Sequence, residues 1–265
     1  MLITTLSGFA FAAGVVLTIA LIRSILVIGF AFWVSLGTRF GKERRIYHVA
    51  YRDKQLMQEA KAGLLVLLFD ATVIGASSQL GWLNPAPFHW LNALVTFVAV
   101  FCWIEIWFYV THRLMHTKPL YWLHRQHHTA VITNPLTSLS FSLGERAVLL
   151  FGVLGVFLPL SNVVPVSQVG LIGYFSINYI LNVAGHSNVE FFPPNWDRRW
   201  LGRALITPTY HSMHHARYRG HYGLFTQFLD RWFGTRFEDY EHAQTRAATG
   251  KPLTRPGERA TGHEA

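Results

Sequence analysis

The sequence predicts an all-α integral membrane protein, a bundle of four to five spanning helices that carries a histidine-rich helical cap. Two observations support this prediction. The 265 residues are 51% hydrophobic and only 14% charged, with a mean hydropathy of +0.25, which is too apolar for a soluble domain of this length. The apolar residues also fall in blocks of roughly 20 separated by short polar stretches, the pattern of membrane-spanning helices.

The apolar blocks predict the order of the spans. The first block, residues 2–36, predicts one span with an overlong or interfacial part and has Arg23 in its middle. A charged segment at 39–61 follows. Further spans are predicted near residues 62–83, 90–110, 144–160 and 165–184. The connectors 84–89 and 161–164 contain no charged residue and suit tight turns on the far side of the membrane.

Positive charge predicts the orientation of this bundle. Of the 23 lysine and arginine residues, 21 lie in residues 39–61, in 113–125 or after His186. These segments should therefore share the cytoplasmic face, because positive charge concentrates there. The clustered histidines lie in or beside the same segments, so the cap is expected on the cytoplasmic side. The net charge of +9 is therefore explained by the orientation of the spans in the membrane, and no nucleic-acid partner is expected.

The same patterns predict one membrane-embedded domain over residues 1–241. The stretch 242–265 is rich in Ala, Thr, Gly, Pro and Arg and shows no apolar periodicity. Such composition is typical of a disordered tail, which we therefore expect there.

Eight histidines form three clusters whose spacing predicts a metal site. Residues three and four apart share a helix face, as do the members of each cluster: His112 and His116; His124, His127 and His128; His211, His214 and His215. Imidazole is a good ligand for iron or zinc, and so many imidazoles packed without a metal would lack partners. The single cysteine, Cys102, excludes a CxxC zinc site and a cysteine-ligated iron–sulfur cluster, so histidine or carboxylate must hold the metal.

The residues around these clusters form recurring motifs. They are EIWFYVTHRLMH at 105–116, WLHRQHH at 122–128, TPTYHSMHH at 207–215, HYG at 221–223 and DRWFGT at 230–235. In order, spacing and flanking residues, this core at 105–235 resembles the fatty acid hydroxylase and sterol desaturase superfamily of integral-membrane diiron enzymes. The resemblance implies a cap that holds two iron ions in a dimetal site, with O2 as co-substrate and a membrane lipid as substrate.

The resemblance also implies further site residues. His186 would be a ninth ligand at the end of the last span, and Asn182, one turn earlier, could reach a metal directly or through water, or be only a cap. His221 stands where the motif usually has Asn, and we expect a residue that supports the ligands or an extra ligand. Glu105 lies on the same helical face as His112, inside an apolar span, and is expected to hydrogen-bond a ligating histidine.

Asp70 and Glu145 also lie near or inside apolar blocks, and either could be a simple ion-pair partner for Arg23 or Arg146.

Three functions remain open from the sequence. The favoured one is a lipid hydroxylase, while a desaturase would use the same iron site and differ only in the fate of the substrate radical. A histidine-lined metal transporter or sensor is the alternative of another class, although transporters tend to place ligands near the bilayer midplane. The sequence has no flavin or nicotinamide fingerprint, so a separate electron-transfer protein or reductase is implied for the enzyme. Five arginines could dock it: Arg198, Arg199, Arg203, Arg217 and Arg219.

Overall fold

The computed structural model describes residues 2–82 and 84–260. Within these ranges the chain forms helices joined by loops, with three isolated β-bridges and no β-strand, which confirms the all-α prediction. The α-helices are α1 (Leu2–Phe32), α2 (Arg39–Glu43), α3 (Asp53–Gln79), α4 (Trp90–Met115), α5 (Tyr121–His124), α6 (Leu143–Leu160), α7 (Gln168–His186), α8 (Pro208–Arg217), α9 (Phe228–Trp232) and α10 (Tyr240–Ala248). Short 3₁₀ helices lie at His127–Thr129, Pro135–Leu139 and Trp196–Arg198.

Four helices in the described part of the chain are long and apolar enough to cross a membrane. They cover Leu6–Gly37, Asp53–Gln79, Trp90–Met115 and Leu143–Leu160. Large apolar side chains on them face outward, as at Phe11 with 75% of its surface exposed and Ile25 with 71%. Such broad apolar exposure is unfavourable in water and suits lipid. The chain is therefore a multi-pass membrane protein, and α7, with 19 residues, would be the fifth of the predicted four to five spans.

Two helix pairs organise the bundle. Helix α1 packs along α3, and α4 packs along α7 and also contacts α6. The α4–α7 approach depends on Gly170, where an added Cβ would lie only 2.5 Å from the carbonyl oxygen of Ala93. A cluster of buried residues from α4, α6 and α7, including Val100, Val153 and Leu171, fills the space between these helices. This packing brings the last turns of α4 and α7 and the first turn of α6 to one end of the bundle.

The cap closes that end of the bundle around a second core. Its buried residues come from segments far apart in sequence: Ile46, Tyr47, Tyr210, Met213, Tyr240, Ala243, Ala247 and Leu253. The backbone adds to this packing, since the amide of Leu253 donates to the carbonyl of Ile46 at 2.7 Å. The cap is therefore a folded unit and not a set of loops.

The prediction of a disordered tail is wrong for residues 242–260. Helix α10 buries Ala243 and Ala247, and the chain beyond it buries Leu253 and Ala260. Small alanines and a single leucine gave too weak a periodic signal, although together they fill the cap core. The folded domain therefore extends past the expected boundary at 241, to at least Ala260. Residues 261–265 of the predicted tail lie outside the described residues.

Leu253→Ala tests whether this segment belongs to the fold. Leu253 is fully buried, so removing its side chain should lower the free energy of unfolding by about 2–5 kcal/mol, the usual range for such a core truncation. Thermal unfolding in detergent should show a clear fall in Tm. Lys251→Ala, at a neighbouring exposed residue, is the matched control and should leave Tm unchanged. Equal Tm values for the two variants would mean that the tail does not contribute to the core.

Candidate metal centre

The structure brings the nine predicted histidines together in two groups. The five-histidine group contains His112, His116, His124, His128 and His214, and the four-histidine group contains His127, His186, His211 and His215. In each group the possible ligand nitrogens all lie within 4.8 Å of one another. Two adjacent clusters of this size are what a dimetal site requires, and either group could hold a metal ion.

Local helix geometry decides which histidine joins which group. On α8, His211 and His215 are one turn apart and share a face, whereas His214 points to the other group. His127 and His128 are neighbours in sequence, but they lie on a 3₁₀ turn, where successive side chains diverge by about a third of a turn. The two centres are therefore built from the same short segments.

Backbone carbonyls orient most of the rings. The Nδ1–H of His112 donates to the carbonyl of Tyr222 at 3.0 Å, and that of His214 donates to the carbonyl of Gly220 at 2.7 Å. The corresponding bonds of His127, His186 and His215 go to the carbonyls of Ser140, Asn182 and Ala130. A carbonyl oxygen only accepts, so Nδ1 must carry the proton in each ring. The Nε2 atoms are left with free lone pairs that face the centre of each group.

These Nε2 atoms crowd together in a way that calls for a cation. The Nε2 of His211 lies 2.9 Å from that of His186, and the Nε2 of His214 lies 3.0 Å from that of His128. When both nitrogens of such a pair carry lone pairs, they repel one another unless a positive ion lies between them. The Nε2 atoms of His112, His116 and His124 are buried with no hydrogen-bond partner among the described residues. The donor set therefore fits a metal ion such as iron or zinc.

Burial also keeps the cap histidines in the form that binds metals. It lowers the pKa of six rings outside the spans well below the usual histidine range: His124, His127, His128, His211, His214 and His215. Neighbouring rings add to this effect, because a second positive charge so close would be repelled. The neutral imidazole that results is the ligand form.

Glu145 is a site residue that sequence reasoning missed. Its Oε1 lies 2.6 Å from Nδ1 of His124, and both side chains are almost fully buried. A carboxylate that accepts from Nδ1–H holds the ring and makes its Nε2 a better ligand. The expected ion pair between Glu145 and an arginine is wrong. Arg146 instead pairs with Asp70 through two bonds of 2.6 and 2.7 Å, as one of the expected pairings proposed.

The expected hydrogen bond between Glu105 and a clustered histidine is wrong. Its carboxylate accepts from the backbone amides of Phe225 and Thr226 and from the Thr226 hydroxyl, and it contacts no ligating histidine. Glu105 lies seven residues before His112 and shares a helix face with it. Seven residues correspond to about 10 Å along a helix, which is too far for the Glu105 carboxylate to bond to His112. Its role is to tie the loop after the HYG motif to α4.

His221 lies outside both groups, so of its two expected roles the structure favours support of the clustered histidines over contact with a metal. Its Nδ1–H donates to the carbonyl of Tyr210, and its ring stacks on that tyrosine with centroids 3.4 Å apart. The backbone at His221 has a φ of 57°, a conformation that Asn adopts more readily than most residues. The flanking carbonyls of Gly220 and Tyr222 are those that orient His214 and His112. His221 thus supports the ligands by shaping this turn.

Asn182 lies beside the four-histidine group. Its carbonyl accepts from His186 at 2.8 Å, while its side-chain Oδ1 is buried with no hydrogen-bond partner among the described residues. The side chain lines the cavity next to the metal centre. Contact between Asn182 and a metal stays a prediction, as do the ligand roles of the nine histidines.

Asp230 fixes the turn that orients two of the rings. It accepts from the amides of Tyr222 and Gly223 at 2.9 and 2.7 Å and from the hydroxyl of Thr235 at 2.5 Å. We expect Asp230→Ala to weaken iron retention by about 10–100-fold, the usual cost of losing support behind a metal ligand. Iron remaining after a chelator challenge measures this loss. Glu238→Ala changes an exposed acid of the same cap and should retain iron like the unmodified protein. Equal retention in the two variants would contradict the role of Asp230.

A cavity of about 310 Å³ adjoins the four-histidine group. Its polar wall includes His127, His186, His211 and Glu145. The remaining wall is mostly apolar, with Phe108, Phe141, Leu181, Phe191, Phe192 and Leu224 among its residues. An apolar chain could therefore lie directly beside the four-histidine group.

Comparison with known proteins shows which family the region around the histidines matches. A family model described as fatty acid hydroxylase matches residues 97–235, a little over half of the chain. No solved structure matches. Among curated proteins, the very-long-chain aldehyde decarbonylase GL1-4 of rice is 32% identical over 146 residues, which cover 50% of this chain and 22% of the relative. The aldehyde decarbonylase CER1 of Arabidopsis thaliana is 30% identical over 143 residues, covering 51% and 22%.

A longer match extends beyond this core. The rice aldehyde decarbonylase GL1-7 is 27% identical over 246 residues, which cover 84% of this chain and 36% of the relative. The chain therefore corresponds to about a fifth to a third of the length of these relatives. Their similarity bears on the membrane and histidine-bearing part, and not on the rest of those proteins.

Proposed function

Because the chain belongs to the fatty acid hydroxylase family, we propose that it is a membrane diiron oxygenase that hydroxylates an unactivated C–H bond of a lipid. One observation carries the proposal: two adjacent groups of neutral, oriented imidazoles border an apolar cavity within a membrane protein. A histidine-rich, carboxylate-poor site beside space for an alkyl chain suits oxidation of a hydrocarbon by bound metal ions.

The metal ions, the histidines and the apolar residues of the site would have separate roles. Two iron ions, when bound, would supply the reduction of O2 and the removal of a hydrogen atom from the substrate. The nine histidines would hold them, with Glu145 and the backbone carbonyls fixing the ring orientations. Phe108, Phe141 and Leu224 would position the alkyl chain and keep water from the reacting carbon.

The electron supply is part of the same proposal. The chain has one cysteine and no nucleotide-binding motif, so electrons would come from a separate electron-transfer protein on the cytoplasmic side. Four arginines of the expected docking set are exposed on the cap: Arg198, Arg199, Arg203 and Arg219. The fifth, Arg217, is already paired with Asp239 through two bonds of 2.6 and 2.8 Å. The docking patch is therefore limited to the exposed four.

The names of the relatives favour a second candidate. Several of the similar proteins are called very-long-chain aldehyde decarbonylases, and their matches cover about half of this chain. A protein with the same metal centre could remove the terminal carbon of a fatty aldehyde instead of hydroxylating the alkyl chain of its substrate. A desaturase also remains possible on the same iron site.

Product analysis with isotopically labelled O2 distinguishes these reactions. Purified, iron-loaded protein would be given a lipid mixture and a chemical or enzymatic electron source, and products would be identified by mass spectrometry. The proposal expects a product that gains one labelled oxygen atom. A product that loses two hydrogens would identify a desaturase, and one shorter by a carbon would identify a decarbonylase. Absence of both iron and substrate-dependent O2 uptake would exclude an oxygenase.

A further inference from the structure

A second, smaller cavity lies deeper in the bundle, next to the one beside the metal centre. It has a volume of about 100 Å³, room for only a few atoms of a ligand. Phe108, Phe141, Asn182 and Leu224 line both cavities, so the two cavities adjoin and share part of their walls. We call this smaller cavity the polar chamber, because its wall includes Arg23, Asp70, Ser138, Arg146, Asn178 and Asn182.

The charges that line the polar chamber do not cancel. Arg146 is held by Asp70 through two hydrogen bonds, which leaves that pair neutral. Among the described residues, Arg23 forms no ion pair with a carboxylate, because Asp70 is held by Arg146. Its guanidinium lies 3.8 Å from the centroid of the Tyr179 ring, and its Nε is buried without a hydrogen-bond partner among the described residues. Two guanidinium groups and one carboxylate therefore leave one positive charge on the wall.

An unmatched charge inside a membrane bundle is costly and calls for a partner. Arg23 lies in the middle of α1, within the Leu6–Gly37 span, and not at its end where a long side chain could easily reach water. The ring of Tyr179 offsets only part of this cost. An oxygen acceptor that entered the chamber would complete the hydrogen bonding of the guanidinium.

We infer that the polar chamber binds the oxygen-bearing end of a long-chain substrate, a carboxylate or an aldehyde carbonyl, with Arg23 as its anchor. This inference rests on the proposed function, since it names the substrate class of the same site. The alkyl chain then runs from the chamber past the four-histidine group into the larger apolar cavity. Arg23 is thus a residue that determines specificity.

The geometry of α7 also sets where oxidation occurs. Asn182 and Asn178 lie one and two turns before His186, which corresponds to about 6 and 12 Å along the helix. When the oxygen-bearing end of the substrate is held in the chamber, the half of its alkyl chain nearest that end lies beside the four-histidine group. Oxidation is therefore expected in that half, and not near the methyl terminus.

Photolabelling tests the direction of insertion without requiring turnover. Two 16-carbon fatty acids would be used with the purified holoprotein, one with a diazirine close to the carboxylate and one with a diazirine close to the methyl end. The first should label chamber residues such as Asn178 and Tyr179, and the second should label Phe191, Phe192 or Leu205. The opposite pattern, or labelling that unlabelled palmitate fails to displace, would overturn the inference.

Substitution of Arg23 tests the anchor. Arg23→Gln should weaken palmitate binding by about 10-fold or more, as expected for the loss of a hydrogen bond to a charged group. Binding would be measured by displacement of the photoreactive acid. Arg23→Lys keeps the charge and should lose less, whereas hexadecane, which has no acceptor, should bind both variants as it binds the unmodified protein. Lys61→Gln, at an exposed cation, is the control and should change neither ligand's binding.

The outcomes separate this inference from the proposed function. Palmitate binding that depends on Arg23 without any oxidised product would support the chamber and contradict the oxygenase. Lipid oxidation with unchanged palmitate binding in Arg23→Gln would do the reverse. If Arg23→Gln does not fold, the photolabelling pattern of the unmodified protein decides the matter.

Discussion

Replacing His127 with alanine should abolish lipid oxidation and remove iron from the four-histidine group, while the chain remains inserted in the membrane. His127 supplies one of four nitrogens in that group, and its Nε2 lies 3.1 Å from that of His215. The remaining three imidazoles would hold a metal weakly, while the five-histidine group keeps all its members. Iron per chain is therefore expected to fall from about two to about one. Metal analysis and substrate-dependent O2 uptake measure the two effects.

The control for this variant is His242→Ala. His242 is exposed on α10 and belongs to neither group, so its loss should leave iron content and activity unchanged. Membrane extraction and thermal unfolding would establish that both variants are folded. Full activity in His127→Ala would contradict the assignment of this histidine as a ligand.

Glu145→Ala should lower activity and iron affinity by about 10–100-fold, although Glu145 is not itself in either histidine group. The loss arises because His124 would no longer be held through its Nδ1 in the buried position where its Nε2 faces the centre. Glu145→Gln should lose less, since its amide oxygen can still accept from Nδ1–H. Iron affinity measured by competition with a chelator would show this order of effects.

Glu59 provides the matched control for Glu145. It is fully buried too, but it bonds to Gln55 and Asn134 and touches no clustered histidine. Glu59→Gln should therefore retain iron, even if the protein becomes less stable. A loss of iron in this control equal to that in Glu145→Ala would show that general destabilisation, and not the orientation of His124, explains the effect.

Much of the architecture could be predicted because a membrane imposes strong patterns on sequence. Blocks of apolar residues located the spans, and helical spacing grouped the histidines before any contact was known. His186 was found only through the resemblance to a family, because a lone histidine at the end of a span has no pattern of its own. In the structure, Nε2 of His186 lies 2.9 Å from Nε2 of His211.

The errors about Glu105 and Glu145 share a physical cause, since each depended on distance in space. Glu105 shares a helix face with His112, but spacing along a face does not state how far a carboxylate can reach. Glu145 was expected to pair with Arg23 or Arg146 because an acid near an apolar block needs a partner, yet the first turn of α6 directs it to His124. A signal was present, because Glu145 is the acid that follows the second histidine cluster at the start of the next span.

The tail was misjudged for another reason, and the sequence left two roles open for His221. Weakly apolar residues such as Ala243 and Ala247 contribute to a core only when a partner surface exists, and that surface comes from residues near Tyr47 and Tyr210. His221 belongs to a histidine-rich region by composition, but its backbone conformation turns its ring toward Tyr210. Neither effect can be read from local sequence.

The proposed site holds two metal ions, one in the five-histidine group and one in the four-histidine group. Metal analysis of the full chain, purified from cells grown with ample iron, tests this most directly. We expect about two iron ions per chain, a number that falls to about one in His127→Ala and does not change in His242→Ala. Protein that contains no iron, or that keeps its full iron content in His127→Ala, would contradict it.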